Sequence, residues 1–442
     1  MHTGGIALLE GPAPPYPEVL EHVRSRLHLV PRYRRRLAVP PLGLGEPRWV
    51  DEPAFNLAYH VRHTGLPAPG DGAKLNALAA RVFSQQLDRS KPLWELWIVE
   101  HLEGGGWALV SKAGLELVEG DGDVDLMATL FDTDPETRPA AAPHWEPGPA
   151  PTPAQLAAIA VNEALSPRSA LERARRALDA AGERARAAAA GPPDSPLNVR
   201  TGPHRRLAVV DLRLDDFRTV KDAFGGTVND VVLAVVAGAL RRWLHERATR
   251  TEGLDVRAGV PVSTEGGRLV QVECPLPVDV PDPIERLRAI SAHMAEVTRT
   301  QRAQGAQVIA AAGDFAPPTI LARAARLAPA GRSAGLLVTN VPGPQTSLYV
   351  LGRRLERTFP IPALVAGHAL AVAIMSYDGS MDFGLLADYD AVPDLPVFAT
   401  SVEATLDELL GLASAPLARR TPKTTRTRAR ARARREAARR RS

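Results

Sequence analysis

The 442-residue sequence has a single cysteine and no long uninterrupted hydrophobic segment. Cys274 cannot form a disulfide within the chain, and we interpret it as a buried structural thiol. The best apolar runs, residues 231–240 and 363–375, fall short of the roughly 18 residues that a membrane-spanning helix needs. The first residues also lack the basic and apolar regions of a signal peptide. These absences predict a cytoplasmic protein that does not span the membrane.

Motifs for metals and nucleotides are missing as well. The eleven histidines are scattered, and no HExxH, CxxC or similar spacing occurs, so no metal site is predicted. No glycine-rich phosphate-binding loop follows a predicted strand. His60 and His63 accompany a predicted strand, residues 56–61, and we interpret them as ordinary surface or half-buried residues on opposite faces. The sequence therefore indicates no resident cofactor.

Charge is distributed very unevenly along the chain. The formal net charge is +4, but residues 419–441 carry +11 and the remaining chain carries −7. The tail has no aromatic residue that could stack on bases, so it predicts a solvated, disordered segment and no specific nucleic-acid partner. An anionic membrane or lipid-droplet surface is the partner that its charge fits best.

Predicted strands and helices alternate in two similar halves, which is typical of an α/β (or α+β) fold. Residues 1–132 form the N-terminal half, and residues 197–417 form the C-terminal half. Between them, residues 133–196 form a linker with helices that begins rich in proline, alanine and acid. Residues 418–442 form the arginine-rich tail.

Four segments resemble, in the right order, motifs of the bacterial wax ester synthase/diacylglycerol acyltransferase family, within the acyl-CoA-dependent acyltransferases. They are residues 87–95 with Pro92-Leu93-Trp94, residues 226–234 with Asn229-Asp230, residues 340–344 and residues 376–379. The resemblance runs from Met1 to about Leu412. It implies two chloramphenicol-acetyltransferase-like halves around a central channel, with acyl-CoA and an acceptor lipid as partners. Residues 1–11 resemble an internal stretch of the family, which leaves open genuine shortening or a start assigned too late.

The family's catalytic motif, HHxxxDG, is degenerate in this sequence. In the family, the second histidine is the general base that takes the proton of the acceptor hydroxyl, which then attacks the acyl-CoA thioester. The register set by residues 124–126 places Gly114 and Leu115 at the histidine positions and Glu119 and Gly120 at the Asp-Gly positions. A slip of two residues supplies no histidine either. The resemblance therefore implies a site without an intact catalytic residue.

Three side chains could replace the missing base. Glu116 is expected to face away from Leu115 if the strand continues, and Glu119 keeps the acidic element of the motif. His368 lies near the strands of the second half, and we interpret it as a structural histidine. Loss of a general base typically costs about 10²–10⁴ in rate.

Two functions follow from the resemblance and remain open at this point. The first is an acyl-CoA-dependent O-acyltransferase that makes triacylglycerol or wax esters from diacylglycerol or a long-chain alcohol, impaired because Leu115 replaces the base. The second is a non-catalytic acyl-CoA- or lipid-binding paralogue with a regulatory or partner role.

The other family positions have a structural and a substrate-channel interpretation. Asn229 and Asp230 begin an apolar helix, where they suit N-terminal capping and the helix dipole. Pro92, Leu93 and Trp94 precede a predicted strand, where they suit core packing.

Overall fold

The computed structural model describes residues 1–43, 45–117, 125–137, 141–166, 195–263, 269–303 and 335–414, together with residues 175, 178, 181 and 182. Residues 415–442, which include the predicted disordered tail, lie outside the described residues. The strands are β1 (His2–Leu9), β2 (Arg35–Ala38), β3 (Arg48–Asp51), β4 (Val61–Gly65), β5 (Trp94–Glu100), β6 (Trp107–Gly114), β7 (Arg205–Arg213), β8 (Val256–Ser263), β9 (Leu269–Leu276), β10 (Leu336–Pro342), β11 (Tyr349–Val350), β12 (Arg353–Ile361), β13 (Leu370–Tyr377) and β14 (Ser380–Asp388).

The helices lie around these strands. They are α1 (Tyr16–Arg26), α2 (Leu57–His60), α3 (Gly72–Ser84), α4 (Leu126–Leu130), α5 (Pro153–Leu165), α6 (Leu214–Phe224), α7 (Val228–Glu246), α8 (Pro283–Ala303) and α9 (Leu395–Ser414). In the described part of the chain, no single helix is long and apolar enough to cross a membrane. The pair α6 and α7, bent by 98°, passes that test by length and composition alone.

Two six-stranded sheets form the scaffold of the two halves. The first has the order β11-β12-β1-β6-β5-β4 and the second β7-β14-β13-β10-β8-β9, while β2 and β3 form a separate hairpin. A large hydrophobic cluster accompanies each sheet. Helix α7 lies inside the second cluster, and its long apolar run is buried on nearly every side. The mixed α/β architecture predicted from the sequence is confirmed.

Strand β12 ties the two halves together. It belongs to the second half in sequence, yet it pairs antiparallel with β1 in the first sheet, with Ile361 opposite Gly4. It also crosses β14 closely. At this crossing, a Cβ atom at Gly384 would overlap the backbone carbonyl oxygen of Pro360. The absence of a side chain at Gly384 therefore permits the contact between the halves.

Some local predictions were wrong. Residues 56–61 are not a strand, because residues 57–60 form the short helix α2. Asn56 caps the start of this helix, and its side chain accepts a hydrogen bond from the backbone amide of Ala58 (3.1 Å). His60 lies in that helix and is 1% exposed, so it is not a surface residue. His63 is partly exposed and pairs with Glu100 at 3.0 Å.

The lone cysteine behaves as the sequence predicts. Cys274 lies in β9, is fully buried, and burial raises the pKa of its thiol to about 12, with the Asp230 carboxylate adding to the shift. A thiol with this pKa is not ionised near neutral pH, so it is a poor nucleophile. Cys274 is therefore a structural core residue.

Candidate functional site

The degenerate motif begins where strand β6 ends. The Gly114 amide donates to the carbonyl oxygen of Leu93 (2.8 Å), and the chain then turns, with the Leu117 amide donating to the carbonyl of Gly114 (3.0 Å). The strand therefore stops at Gly114 and does not continue through Glu116. Glu119 and Gly120 lie outside the described residues.

Leu115 is held in the core of the first half. Its amide donates to the carbonyl oxygen of Met1 (3.2 Å), and its side chain is 3% exposed within the first hydrophobic cluster. An apolar side chain thus occupies the position at which the motif resemblance predicts the family's base. It can neither accept a proton nor orient a hydroxyl.

A cavity of about 410 Å³ opens beside this turn, between the two halves, and we call it the junction cavity. Gly114 and Glu116 line it, whereas Leu115 between them does not. Residues from both halves contribute to its wall, among them Leu93, Arg89, Gly202, Arg205, Leu364 and Leu386. A cavity formed by both halves beside the degenerate motif is the best candidate for the reaction site in the described part of the chain.

His2 brings an imidazole into the junction cavity. It lies opposite Gly114 in the β1–β6 pairing and lines the cavity. Burial, assisted by the Lys112 ammonium group, lowers the pKa of His2 to about 3, so its ring is neutral near pH 7. A neutral imidazole can accept a proton, but this pKa makes it a weak base. Sequence reasoning missed His2, because only the pairing of β1 with β6 brings it to the motif.

Glu116 also lines the junction cavity, but its carboxylate is already engaged. Arg89 donates to it at 2.9 Å. Burial alone would raise the pKa of Glu116, but hydrogen bonds from its own backbone amide and from Arg89 outweigh burial and hold the pKa below its usual value. A stabilised carboxylate of this kind is a poor substitute for a general base.

Lys112 shapes the wall of the cavity from inside the protein. It is 1% exposed, and its ammonium group donates to the carbonyl oxygens of Val82 (2.7 Å) and Gln85 at the end of α3. Burial lowers the pKa of Lys112 to about 8. The side chain therefore fastens α3 to β6, and the end of α3 supplies Phe83 and Ser84 to the cavity.

His368 does not line the junction cavity. It is 1% exposed in the segment before β13, and neither ring nitrogen has a hydrogen-bond partner among the described residues. Burial lowers its pKa. Nothing in this geometry brings its imidazole to the degenerate motif.

Two members of the Pro92-Leu93-Trp94 segment connect the junction cavity to the core. Leu93 lines the cavity, and its carbonyl oxygen accepts the hydrogen bond of the Gly114 amide. Trp94 is 2% exposed, donates from its indole nitrogen to the carbonyl of Tyr33 (2.8 Å) and stacks on His60 with ring centroids 4.6 Å apart. Pro92 is buried beside them. The segment thus packs the core on one side and borders the cavity on the other.

A buried carboxyl group holds the chain directly after the motif. The Tyr33 hydroxyl donates to Asp125 at 2.5 Å, and Asp125 precedes α4. Burial raises the pKa of Asp125 to about 6, against the opposing effect of the Tyr33 hydrogen bond. Tyr33, Trp94 and His60 therefore form one hydrogen-bonded and stacked group that ends at Asp125.

The three remaining family-like segments meet elsewhere in the molecule. Asp230 and Thr227 form a reciprocal capping box at the start of α7. The Asn340 side chain donates to Asn229 at 3.4 Å, and Ser376 accepts from the Gly343 amide at 3.3 Å. These contacts gather at the start of α7 and the ends of β10 and β13, whereas the junction cavity touches Leu386 near the far end of β14.

Metal ligands are not grouped in the described ranges: no set of three or more His, Cys, Asp or Glu side chains could hold a metal ion there.

Comparison with known proteins decides the family. The family model of the wax ester synthase/diacylglycerol acyltransferase catalytic domain matches residues 1–232, and the model of the C-terminal domain matches residues 266–410. This chain belongs to the wax ester synthase/diacylglycerol acyltransferase family. It is accordingly a member of a family of acyl-CoA-dependent O-acyltransferases, as its motifs predict.

Individual relatives extend over nearly the whole chain. The chain is 32% identical to a Mycobacterium tuberculosis protein named probable diacylglycerol O-acyltransferase, over 93% of this chain and 91% of the relative. The solved wax ester synthase/diacylglycerol acyltransferase of Marinobacter aquaeolei superposes with a TM-score of 0.68 at 25% identity, covering 94% of this chain and 95% of that one.

More distant structures share the fold alone. The first condensation domain of the calcium-dependent antibiotic synthetase superposes with a TM-score of 0.55 at 15% identity, over 94% of this chain and 92% of that domain. The two-half fold expected from the motif resemblance is confirmed.

Proposed function

We propose that this protein transfers an acyl group from acyl-CoA to the hydroxyl of diacylglycerol or a long-chain alcohol, at a rate far below that of family members with an intact motif. The observation that carries this proposal is the burial of Leu115, 3% exposed, at the position of the general base. The full-length similarity to proteins named diacylglycerol O-acyltransferases supports the reaction type. The missing imidazole supports the impairment.

The proton balance explains why the rate should be low. The acceptor oxygen attacks the thioester carbonyl carbon, the C–S bond breaks, and the proton of the hydroxyl must pass to a base and finally to the CoA sulfur. His2 is the neutral imidazole of the junction cavity and could take that proton. Because its pKa is about 3, proton transfer to it is less favourable than to an imidazole with a pKa near the working pH.

Ester formation by the unaltered chain tests this proposal. Purified protein is incubated with labelled palmitoyl-CoA and either dioleoylglycerol or hexadecanol, and acyl-CoA binding is measured in parallel. We expect slow ester formation above the protein-free rate, and a loss of at least about tenfold in the His2→Gln variant because the base is removed.

His63→Gln is the matched control, because His63 lies on the edge strand β4 of the same sheet, is partly exposed and does not line the junction cavity. Its rate should equal that of the unaltered chain. A protein that neither binds palmitoyl-CoA nor forms ester would contradict the proposed function. An unchanged rate in His2→Gln would remove His2 from the mechanism but leave the reaction in place.

The second candidate function is a non-catalytic protein that binds acyl-CoA or lipid and acts through a partner. It is favoured by the weak basicity of His2 and the engaged carboxylate of Glu116, which leave the described part of the junction cavity without a strong base. Binding of palmitoyl-CoA with no ester formation above the protein-free rate would select this function.

We also propose that the arginine-rich tail holds the protein at the surface of an anionic membrane or a lipid droplet in the cytoplasm. The tail carries +11, and each basic residue near an anionic surface contributes about 1 kcal/mol. A lipid acyltransferase would meet its apolar acceptor at such a surface. The remaining chain, with −7, would be repelled from it, so the tail alone carries the attraction.

Vesicle sedimentation tests the role of the tail. The full chain should sediment with phosphatidylglycerol-containing vesicles at low salt and be released as salt rises, because the attraction is screened. A chain ending at Ala418 should remain in the supernatant, and neither form should bind pure phosphatidylcholine. Equal binding of the two forms would rule out the tail as the anchor.

A further inference from the structure

A second cavity lies in the first half, away from the degenerate motif. It measures about 530 Å³ and lies between α1, the start of α2 and linker residues 142–145, so we call it the linker cavity. Leu20, Leu27, Phe55 and Leu57 provide apolar walls, and Trp145 of the linker closes one side. It shares no lining residue with the junction cavity.

Arg34 places a buried cation in this wall. The residue is 8% exposed, and its Nε atom has no hydrogen-bond partner among the described residues. The guanidinium carbon lies 4.8 Å from the ring centroid of Trp145. Burial lowers the pKa of Arg34, while the Asp51 carboxylate acts in the opposite direction. An arginine remains charged even in such surroundings, because its usual pKa is above 12.

The acids nearest to Arg34 in the β2–β3 hairpin are bound to other arginines. Arg35 donates to Asp51 at 2.9 Å, and Arg36 pairs with Glu52 at 2.9 Å. A buried guanidinium with an unfilled donor is costly, because the lost water is not replaced by an acceptor. The cation–π contact with Trp145 compensates for the charge in part, but it provides no hydrogen-bond acceptor for Nε.

We infer that the linker cavity binds a carboxylate bearing an alkyl chain, with the carboxylate on Arg34 and the chain along the apolar walls. A planar carboxylate can accept two parallel hydrogen bonds from a guanidinium. A polar anion such as inorganic phosphate would leave Leu20, Leu27 and Phe55 without a partner, so an amphiphilic anion fits the cavity better. This site does not depend on whether the protein transfers acyl groups.

Binding of decanoate to the full chain tests the inference. We expect saturable binding by calorimetry and a rise in the melting temperature as decanoate is added, because a ligand of the folded state stabilises it. In Arg34→Met, which keeps a long apolar stem without the charge, decanoate affinity should fall at least tenfold. Decanol, which has the same chain but no charge, should bind the unaltered protein at least tenfold more weakly than decanoate.

Arg218→Met is the matched control, because Arg218 is paired with Asp215 at 2.9 Å, is more than half exposed and lines neither cavity. Its decanoate affinity should be unchanged. Arg34→Lys retains the charge and should keep part of the affinity, which separates loss of charge from loss of the fold. Undetectable decanoate binding, equal binding of decanol, full competition by inorganic phosphate or unchanged affinity in Arg34→Met would each overturn the inference.

Discussion

A Leu115→His variant is expected to form ester from palmitoyl-CoA and dioleoylglycerol about 10²–10⁴ times faster than the unaltered chain, which is the range that a positioned general base contributes. The motif resemblance places the family's base at Leu115, and an imidazole there would accept the proton of the acceptor hydroxyl once its ring turns from the core into the junction cavity, which its neighbours Gly114 and Glu116 line. Initial rates at saturating acyl-CoA, measured as a function of pH, check the expectation. The rate should rise with pH through the pKa of the new imidazole and then level off.

Two variants isolate the effect of the base. Leu117→His places the same side chain at another buried position of the same turn, where Leu117 is 1% exposed, and should not raise the rate. Leu115→Gln supplies polarity without a group that titrates near neutral pH and should also remain slow. If Leu115→His folds and binds palmitoyl-CoA but shows no gain, absence of the base is not what limits this protein.

The first histidine position is harder to restore. A Cβ atom at Gly114 would lie 3.2 Å from the Leu93 Cβ atom and 3.2 Å from a carboxylate oxygen of Glu116. Both neighbours would have to move by a few tenths of an ångström to admit a side chain. Gly114→His is therefore best tested in combination with Leu115→His and not alone.

A Gly384→Ala variant is expected to lose about 3 kcal/mol or more of unfolding free energy, at or above the upper end of typical overpacking effects. The added methyl group would overlap the carbonyl oxygen of Pro360, which is backbone and cannot swing aside. Strand β12 would have to separate from β14, and this crossing joins the two halves. Urea unfolding followed by circular dichroism measures the loss.

Gly411→Ala is the control for this substitution. Gly411 lies in α9, and a Cβ atom there meets nothing within 4 Å. Alanine should stabilise this helix by up to about 1 kcal/mol through its higher helix propensity. Equal unfolding free energies for Gly384→Ala and the unaltered chain would show that the crossing of β12 and β14 tolerates a side chain.

The sequence predicted those elements whose residues carry a strong local pattern. The apolar run of α7 and the alternating or continuous apolar strands β5, β6, β13 and β14 carry such a pattern, because their periodicity is set by burial of one face or both. Residues 56–61 were misassigned because Asn56 caps a helix of a single turn, which is too short to show a helical period. Strand β12 carries no such pattern, because its first half is charged and partly exposed.

The sequence by itself determined the family and predicted the loss of the base. Both depend on which residues follow one another, and Leu115 excludes proton transfer at its position whatever surrounds it. Only the tertiary structure decided what lies beside that position. The β1–β6 pairing brings His2 to Gly114, and Arg34 becomes a buried cation with an unfilled donor only when Trp145 and the β2–β3 hairpin surround it. Such contacts join residues far apart in the chain, and no local pattern of apolar and polar residues records them.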